Sequence, residues 1–558
     1  MSSRHFVLPI LGLLLVAAPL RADPLGHDDR AASLYRDVLR VGDGGKPLLP
    51  LSVLTAQDHI EISAGTGLRV LGTGDGQVDI RLPPGRAIEL SAVAGKPGEV
   101  KHYVVLAQAP AWDFETLRAQ KLAWKERGFA VVAQGTGTTY SLAGRMFDTR
   151  QTLLCLEQEF ADSNSAAAKA QEIGRNFNVD LGVHHVVAVP PSAELVLRER
   201  GGSSVEVHAR DVLWFEAQRP SGKAAALTVV GVRKGARSEL DLPGRVYVVA
   251  GRQGLEVVNE ADLENVLEGV VASEIFHSAP DAALRAQAVA ARTDMLAKVG
   301  TRHATDPLAI CSEVHCQAYR GLERVSPRIA QAVQDTRGQV LVDAEGRLVD
   351  AYYHAVSGGH TENNELVWPG RPQPALRGRT DLVAGAQDLL AGGATDDSVR
   401  QLLESKDQSW AAASGMNAEA CRWRTERSAD ELAGQLKRFG VHKPVKALTV
   451  VRRGVSGRAI ALDVVQSDGS VVKIEGELRI RDALGGSHGP KGLRSSLVIV
   501  KAGPAKDGVP QSWTFVGAGF GHGVGMDQTG AVARAKAGQK FDEILLHYYA
   551  GATLAKLY

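Results

Sequence analysis

Apolar and polar residues alternate with a period of two in a series of short runs near the start of the chain: IEISAG, LRVLG, VDIRLPPG, AIELSAV and HYVVLAQ. Such alternation, broken by glycine and proline, predicts half-buried β-strands. After about residue 120 the pattern becomes strand, helix, strand. FAVVAQGT and TYSLAG read as strands, NSAAAKAQEIGRNF as a helix capped by Asn164, and VHHVVAV as a further strand. Residues 205–258 return to strand with VEVHARDV, AALTVVGV, GRVYVVAG and LEVVN. An amphipathic turn over 263–267 then runs into the apolar GVVASEIF. Ser278 with Asp281 three residues later resembles a capping box, and Pro280 suits an early helical position. An alanine-rich helix is expected over 281–298, stopped by Gly300.

These elements predict an α+β, multidomain chain. A β-rich domain is expected over 23–117, a small α/β module over 118–200, a β-rich connector over 201–250, and a mixed α/β domain over 251–558. The strand–helix–strand piece resembles the SPOR fold, which binds peptidoglycan glycan strands; a generic small α/β module fits it equally. At 558 residues several cores are needed. With 44% hydrophobic and 23% charged residues and a net charge of +1, nothing supports a basic patch for nucleic acid. Sixty glycines and 5% aromatics fit many turns and short strands.

The first residues change the picture. MSSRH is a short basic stretch, FVLPILGLLLVAAPL an apolar one, and LRA offers a cut before Asp23. This is the pattern of a signal peptide over 1–22, with an uncleaved anchor as the alternative. No later run reaches the length of a membrane span, so the expectation is an exported protein of the periplasm or cell envelope with no span after signal removal.

Candidate chemistry comes from two places. Cys155, Cys311, Cys316 and Cys421 are too few for a disulfide scaffold, but CSEVHC places Cys311, His315 and Cys316 together. Two thiolates and an imidazole are zinc-type donors; a local disulfide or buried free thiols are the alternatives. No cofactor is otherwise required, so the expected metal is a structural zinc. The second place is Glu274, four residues before Ser278 and flanked by Val270, Val271, Ile275 and Phe276. Burial would raise its pKa and the following helix dipole would lower it. The dipole fades beyond one turn, so burial is expected to win and leave a general acid near neutral pH. The plain alternative is a surface glutamate on a helix connector.

Four blocks in order resemble the SpoIID/LytB family of bacterial cell-wall proteins. They are VLEGVVASEIFHSAP with ALRAQAVAARTDML, DPLAICSEVHCQAYRG, AVQDTRGQVLVDAEGRLVDAYYHAVSGGHTENNELVW, and GFGHGVGMDQTGAVARAKAGQKFDEILLHYYAG. The resemblance covers roughly residues 255–551 and implies peptidoglycan as ligand. In the family's lytic transglycosylases the glutamate of the Val-Val-x-x-Glu stretch, here Glu274, is the catalytic acid. It protonates the glycosidic oxygen and then takes the proton of the sugar's own 6-hydroxyl, so no second carboxylate is needed. Other members are described as modifiers that stimulate a cell-wall amidase, which is the competing implication.

The matched positions supply substrate-binding candidates: Gln287, Arg292, Gln317, Tyr319, Ser357, His360, Thr361, His522 and Gln528. Tyr319 could stack on a sugar face. Arg292 beside Glu274 would lower its pKa and work against the acid role, so pairing with a substrate acid or with a structural carboxylate is expected instead. The glycines of GFGHGVG are expected to let backbone approach a bulky sugar. The chain departs from the family pattern at Asp294, where an aromatic is common, and at Asp527 and Thr529, which replace Ser and Tyr. Loss of the aromatic at Thr529 is expected to weaken stacking. A zinc hydrolase built on His354, His360 and His522 is a third reading, without the helical spacing such sites use.

Overall fold

The computed structural model describes residues 30–558 apart from 36–38, 43–44, 74–76, 180, 202–205, 219–225, 314–315, 369 and 486–492. The signal-peptide reading of 1–22 and the ligand reading of His315 lie outside the described residues.

The alternating runs build two facing sheets. One places Arg40–Val41, Pro47–Gln57, Gly254–Asp262, Arg245–Gly251, Val212–Ala217, Leu68–Thr73 and Gln77–Leu82 side by side, and Ile310–Cys311 adds to Pro47–Gln57 in parallel. The other orders Glu206–Arg210, Ser192–Glu199, Ala87–Lys96, His59–Ala64, Leu227–Arg233 and Ala236–Leu242. Alternate residues such as Leu49, Leu51, Ile60, Ile62, Leu195, Leu197, Val246 and Val248 fill one core between them. The stretch 201–250, expected as a connector, therefore supplies five strands of this sandwich, which lie between and beside those of 40–96. The strand Gly254–Asp262 also belongs to it, bonded to Pro47–Gln57 and Arg245–Gly251, so a boundary at 251 cuts through a sheet.

The small α/β module occupies about 99–189, earlier than the expected 118–200. It is inserted between Ala87–Lys96 and Ser192–Glu199, which pair with each other across the insertion. Its sheet runs Gly182–Val189, Glu99–Pro110, Gln151–Leu156, Val131–Thr136, with helices α1 (Phe114–Glu126) and α2 (Ser163–Phe177) packed through Trp124, Ala170 and Ile173. Asp162, rather than Asn164, caps α2 by accepting the Ser165 N–H. A hairpin, Thr139–Leu142 with Arg145–Asp148, leans on the next domain.

There, Asp262 caps helix α3 (Leu263–Glu274), and α4 (Asp281–Lys298) follows. The bounds of α4 agree with the sequence reading, but Pro280 occupies the cap position and no side chain caps it. Its alanines serve close packing on two sides. Ala283, Ala288 and Ala291 join the sandwich core, while Ala286, Val289 and Ala290 join a second core with Val524, Met526, Ile544 and Tyr548. Helix α5 (Pro327–Asp335) packs into the sandwich core through Ile329, Ala332 and Val333, while α6 (Gln528–Lys536) and α7 (Phe541–Tyr548) pack into the second core. The expected single domain over 251–558 contains a further unit: residues of about 423–517 form two three-stranded sheets with their own core of Leu432, Leu462, Ile474, Trp513 and Phe515.

Candidate functional site

Glu274 is the last residue of α3, where the helix leaves its final carbonyls and negative dipole end. The side chain is half-buried, and burial pushes its carboxyl up to about 7. Asp294 acts in the same direction; the Ala318 N–H, Lys298 and Gln528 oppose it. Ala318 N–H donates to Oε1 at 2.9 Å. Gln528, at the start of α6, donates through Nε2 to the Glu274 carbonyl at 2.9 Å and to Gln287 Oε1 at 3.3 Å. One amide thus ties the end of α3 to α4 and α6. Gln528→Ala is expected to cost about 1 kcal/mol of stability, read by thermal melting.

A buried polar chain lies behind the acid. Lys298 Nζ donates to Asp294 at 2.6 Å and to the Cys316 carbonyl at 2.9 Å. Gln317 donates to Asp294 and accepts from the Tyr353 hydroxyl. Asp294 thus stands as the acceptor for a lysine and an amide. The sequence reading missed Lys298 and Tyr353. The signal was present for the first: 287, 294 and 298 fall on one helical face of α4.

The other candidates divide. Gln287 is buried beside Gln528, and its Nε2 has no hydrogen-bond partner among the described residues. Arg292 is corrected as a substrate-binding residue and takes the structural pairing instead: it is fully buried and gives its fork to Glu264, at 2.9 and 2.6 Å, and to the Gln339 carbonyl. A guanidinium so committed touches neither Glu274 nor a ligand. Tyr319 is also corrected, since its ring is buried against Gly269 and its hydroxyl donates to Asn259, leaving no face for a sugar.

Ser357, Thr361 and Asp527 are buried in a turn-locking network. Ser357 N–H donates to Asp527 at 2.6 Å and its hydroxyl to Asp381 at 3.1 Å. Asp381 in turn accepts from Arg534 and Tyr548. Asp527 caps α6 through the Gly530 N–H, and burial pushes it up to about 7. Thr361 bonds the backbone of Arg379, and half-buried His360 donates from Nδ1 to the Thr361 carbonyl at 2.7 Å. Thr529 is buried and accepts from Asn417 at 2.8 Å, so that position presents nothing for stacking.

His522 packs among rings, with centroids 4.8 Å from Trp368, 5.5 Å from His354 and 6.3 Å from Tyr352. Its Nδ1 accepts the Val524 N–H, and burial holds it neutral. The glycines around it have positive φ, and their missing side chains make room for protein. A Cβ at Gly523 would collide with the Arg458 guanidinium, and one at Gly525 with the Tyr352 carbonyl. The expectation that they admit a sugar is thereby replaced by close internal packing.

None of the four cysteines is in a disulfide. Among the described residues one group suits a metal: His303, Cys311 and Cys316, whose donor atoms lie within 4.8 Å of one another. The histidine in this group is His303, thirteen residues before Cys316; the expected His315 lies outside the described residues. Nε2 of His303 is 3.5 Å from Cys316 Sγ, and its Nδ1 is 2.9 Å from Asp306. Two sulfurs, one imidazole and a carboxylate behind the imidazole fit zinc chemistry.

Residues 251–342 match the model of the family described as Stage II sporulation protein (SpoIID), and residues 362–525 match a domain of unknown function, DUF8618. The second match overlaps the additional β unit and the glycine loop. An uncharacterized protein of Brachyspira hyodysenteriae is 28% identical over 312 residues, covering 56% of this chain and 71% of that protein. The Bacillus subtilis protein named Amidase enhancer is 28% identical over 306 residues, covering 52% of this chain but 40% of that protein. Stage II sporulation protein D of Bacillus amyloliquefaciens is 26% identical over 326 residues, covering 56% and 79%.

Proposed function

We propose, for a chain that belongs to the SpoIID/LytB family, that it cleaves peptidoglycan glycan strands as a lytic transglycosylase at the cell envelope. The observation that carries this is Glu274: a half-buried carboxyl at a helix end with its pKa pushed up to about 7. At that value it holds a proton and can also lose one near neutrality, which suits a group used as acid and then as base. Protonation of the oxygen between MurNAc and GlcNAc lets the C1–O bond break. The MurNAc 6-hydroxyl oxygen then bonds to C1, and its proton passes to the Glu274 carboxylate. Water is not consumed, and the product carries a 1,6-anhydro end.

Purified protein digesting sacculi is expected to release anhydro-MurNAc products detectable by mass spectrometry. The rate is expected to fall as pH rises through about 7, because the first step needs the protonated acid; a rate still rising at pH 8 would count against Glu274 as that acid. Export by the N-terminal stretch belongs to this reading, and no helix among the described residues is long and apolar enough to cross a membrane. So does a structural zinc held by His303, Cys311 and Cys316, which would fix the segment leading to Ala318.

A second reading has its own support. Tyr319, Thr361, Thr529 and Ser357 are committed inside the protein, and a similar protein is named Amidase enhancer. A chain that binds glycan and stimulates a cell-wall amidase would leave sacculi uncut, sediment with them, and raise amidase release of peptides.

A further inference from the structure

The loop between α4 and Ile310–Cys311 carries more than a metal ligand. Its Asp306 carboxylate joins three separate parts of the chain. His303, in the loop itself, places Nδ1 2.9 Å from Oδ2. His185, on the Gly182–Val189 strand of the small module, places Nε2 3.0 and 2.9 Å from the two oxygens. Arg252, from the sandwich, reaches Oδ1 at 3.3 Å. Beside this point the Val187 N–H donates to Thr305 Oγ1 at 3.0 Å.

The same module grips the end of α4. Thr136 Oγ1 donates to the Gly300 carbonyl at 3.0 Å, Thr149 Oγ1 to Val299 at 2.9 Å, and the Tyr140 hydroxyl to Leu296 at 2.9 Å. On the loop's other side, Ala309 and Ser312 N–H groups bond Pro50 and Ser52 of the sandwich. A carboxylate on Nδ1 fixes the ring's tautomer and aims Nε2 at a metal. Here Nε2 lies beside Cys316 Sγ.

We propose that Asp306 couples metal binding at His303, Cys311 and Cys316 to docking of the small α/β module. The inference rests on the zinc reading given above. A metal holds His303, His303 orients Asp306, and Asp306 holds His185; His185 and Asp306 are positioning residues for the metal ligand. Linkage makes the effect reciprocal: metal tightens docking, and docking tightens metal.

Full-length protein tests it with two readouts besides activity. Hydrogen exchange is followed with zinc bound and after chelation, and zinc affinity is measured by competition with a chromophoric chelator. Chelation is expected to speed exchange in 182–189 and in 136–150, while 77–82, at the edge of its sheet away from Ile310–Cys311, stays unchanged. His185→Ala and Asp306→Asn are each expected to bind zinc about tenfold more weakly. His185 is partly exposed, so its truncation leaves a folded protein even where Asp306→Asn does not. Zinc held by His185→Ala as tightly as by wild type, or exchange indifferent to chelation, would overturn the coupling and leave the zinc reading standing. Wild type that takes up no zinc would overturn both.

Discussion

Glu274→Gln is expected to lower the release of anhydro-MurNAc ends by about 10²- to 10⁴-fold. The amide keeps the size of the side chain and can still accept the Ala318 N–H now 2.9 Å from Oε1. It has no acidic proton for the leaving oxygen and no charge to draw the proton from the 6-hydroxyl, so both halves of the reaction fail together. Asp294 offers no replacement, since Lys298 and Gln317 hold it. The same substitution is expected to stabilise the protein at alkaline pH. Glu274 is raised from an ordinary 4.5 to about 7 in the fold. Between those values the folded state keeps a proton that the unfolded state has lost, so stability falls as pH rises through that window. Gln carries no such penalty. The variant is therefore expected to melt above wild type at pH 8, by on the order of 2 kcal/mol, and level with it at pH 4. An inactive variant less stable than wild type at pH 8 would remove burial as the source of the acid's pKa. Retained stimulation of an amidase by the same variant would favour the enhancer reading.

Local pattern made much of this legible. The period-two runs appear as strands, and α4 spans its expected residues because alanine density, Pro280 and Gly300 all act within one element. The surroundings of Glu274 were legible only in part: Val270, Val271 and Ile275 beside it in sequence are buried, but Phe276 is exposed, and its polar partners Ala318 and Gln528 come from far along the chain. Partnering across the chain was not. Nothing near 201–250 says that its strands lie among those of 40–96, since a half-buried strand looks alike whichever sheet receives it. Nor does His303 lie in the cysteine motif; a loop between α4 and Ile310–Cys311 brings it there. Tyr319 illustrates the opposite error. An aromatic after a metal-type motif suggests a sugar platform, but the absence of a side chain at Gly269 opens the space that buries it.

Arg292 gives the sharpest test of such a distinction, because its two readings predict different losses. A substrate-binding arginine would affect KM and leave folding alone. The structure instead sets a fully buried guanidinium on Glu264 with both carboxylate oxygens engaged. Glu264 also accepts from the Tyr558 hydroxyl at 2.7 Å and the Gly338 N–H at 3.2 Å, so it joins α3 and α4 to the chain's last residue. Replacing it with Gln keeps an acceptor for those two donors but leaves the buried cation without its counter-charge. The expected cost is about 3–5 kcal/mol, the scale for breaking a buried pair from one side. Glu264→Gln with Arg292→Met removes the stranded charge, and that double variant is expected to recover much of the loss, giving a favourable coupling in a double-mutant cycle. Denaturant unfolding measures each corner, and glycan cleavage per folded molecule should change little, since neither side chain reaches Glu274. A Glu264→Gln protein as stable as wild type would show that the pair does not hold α3 and α4 together.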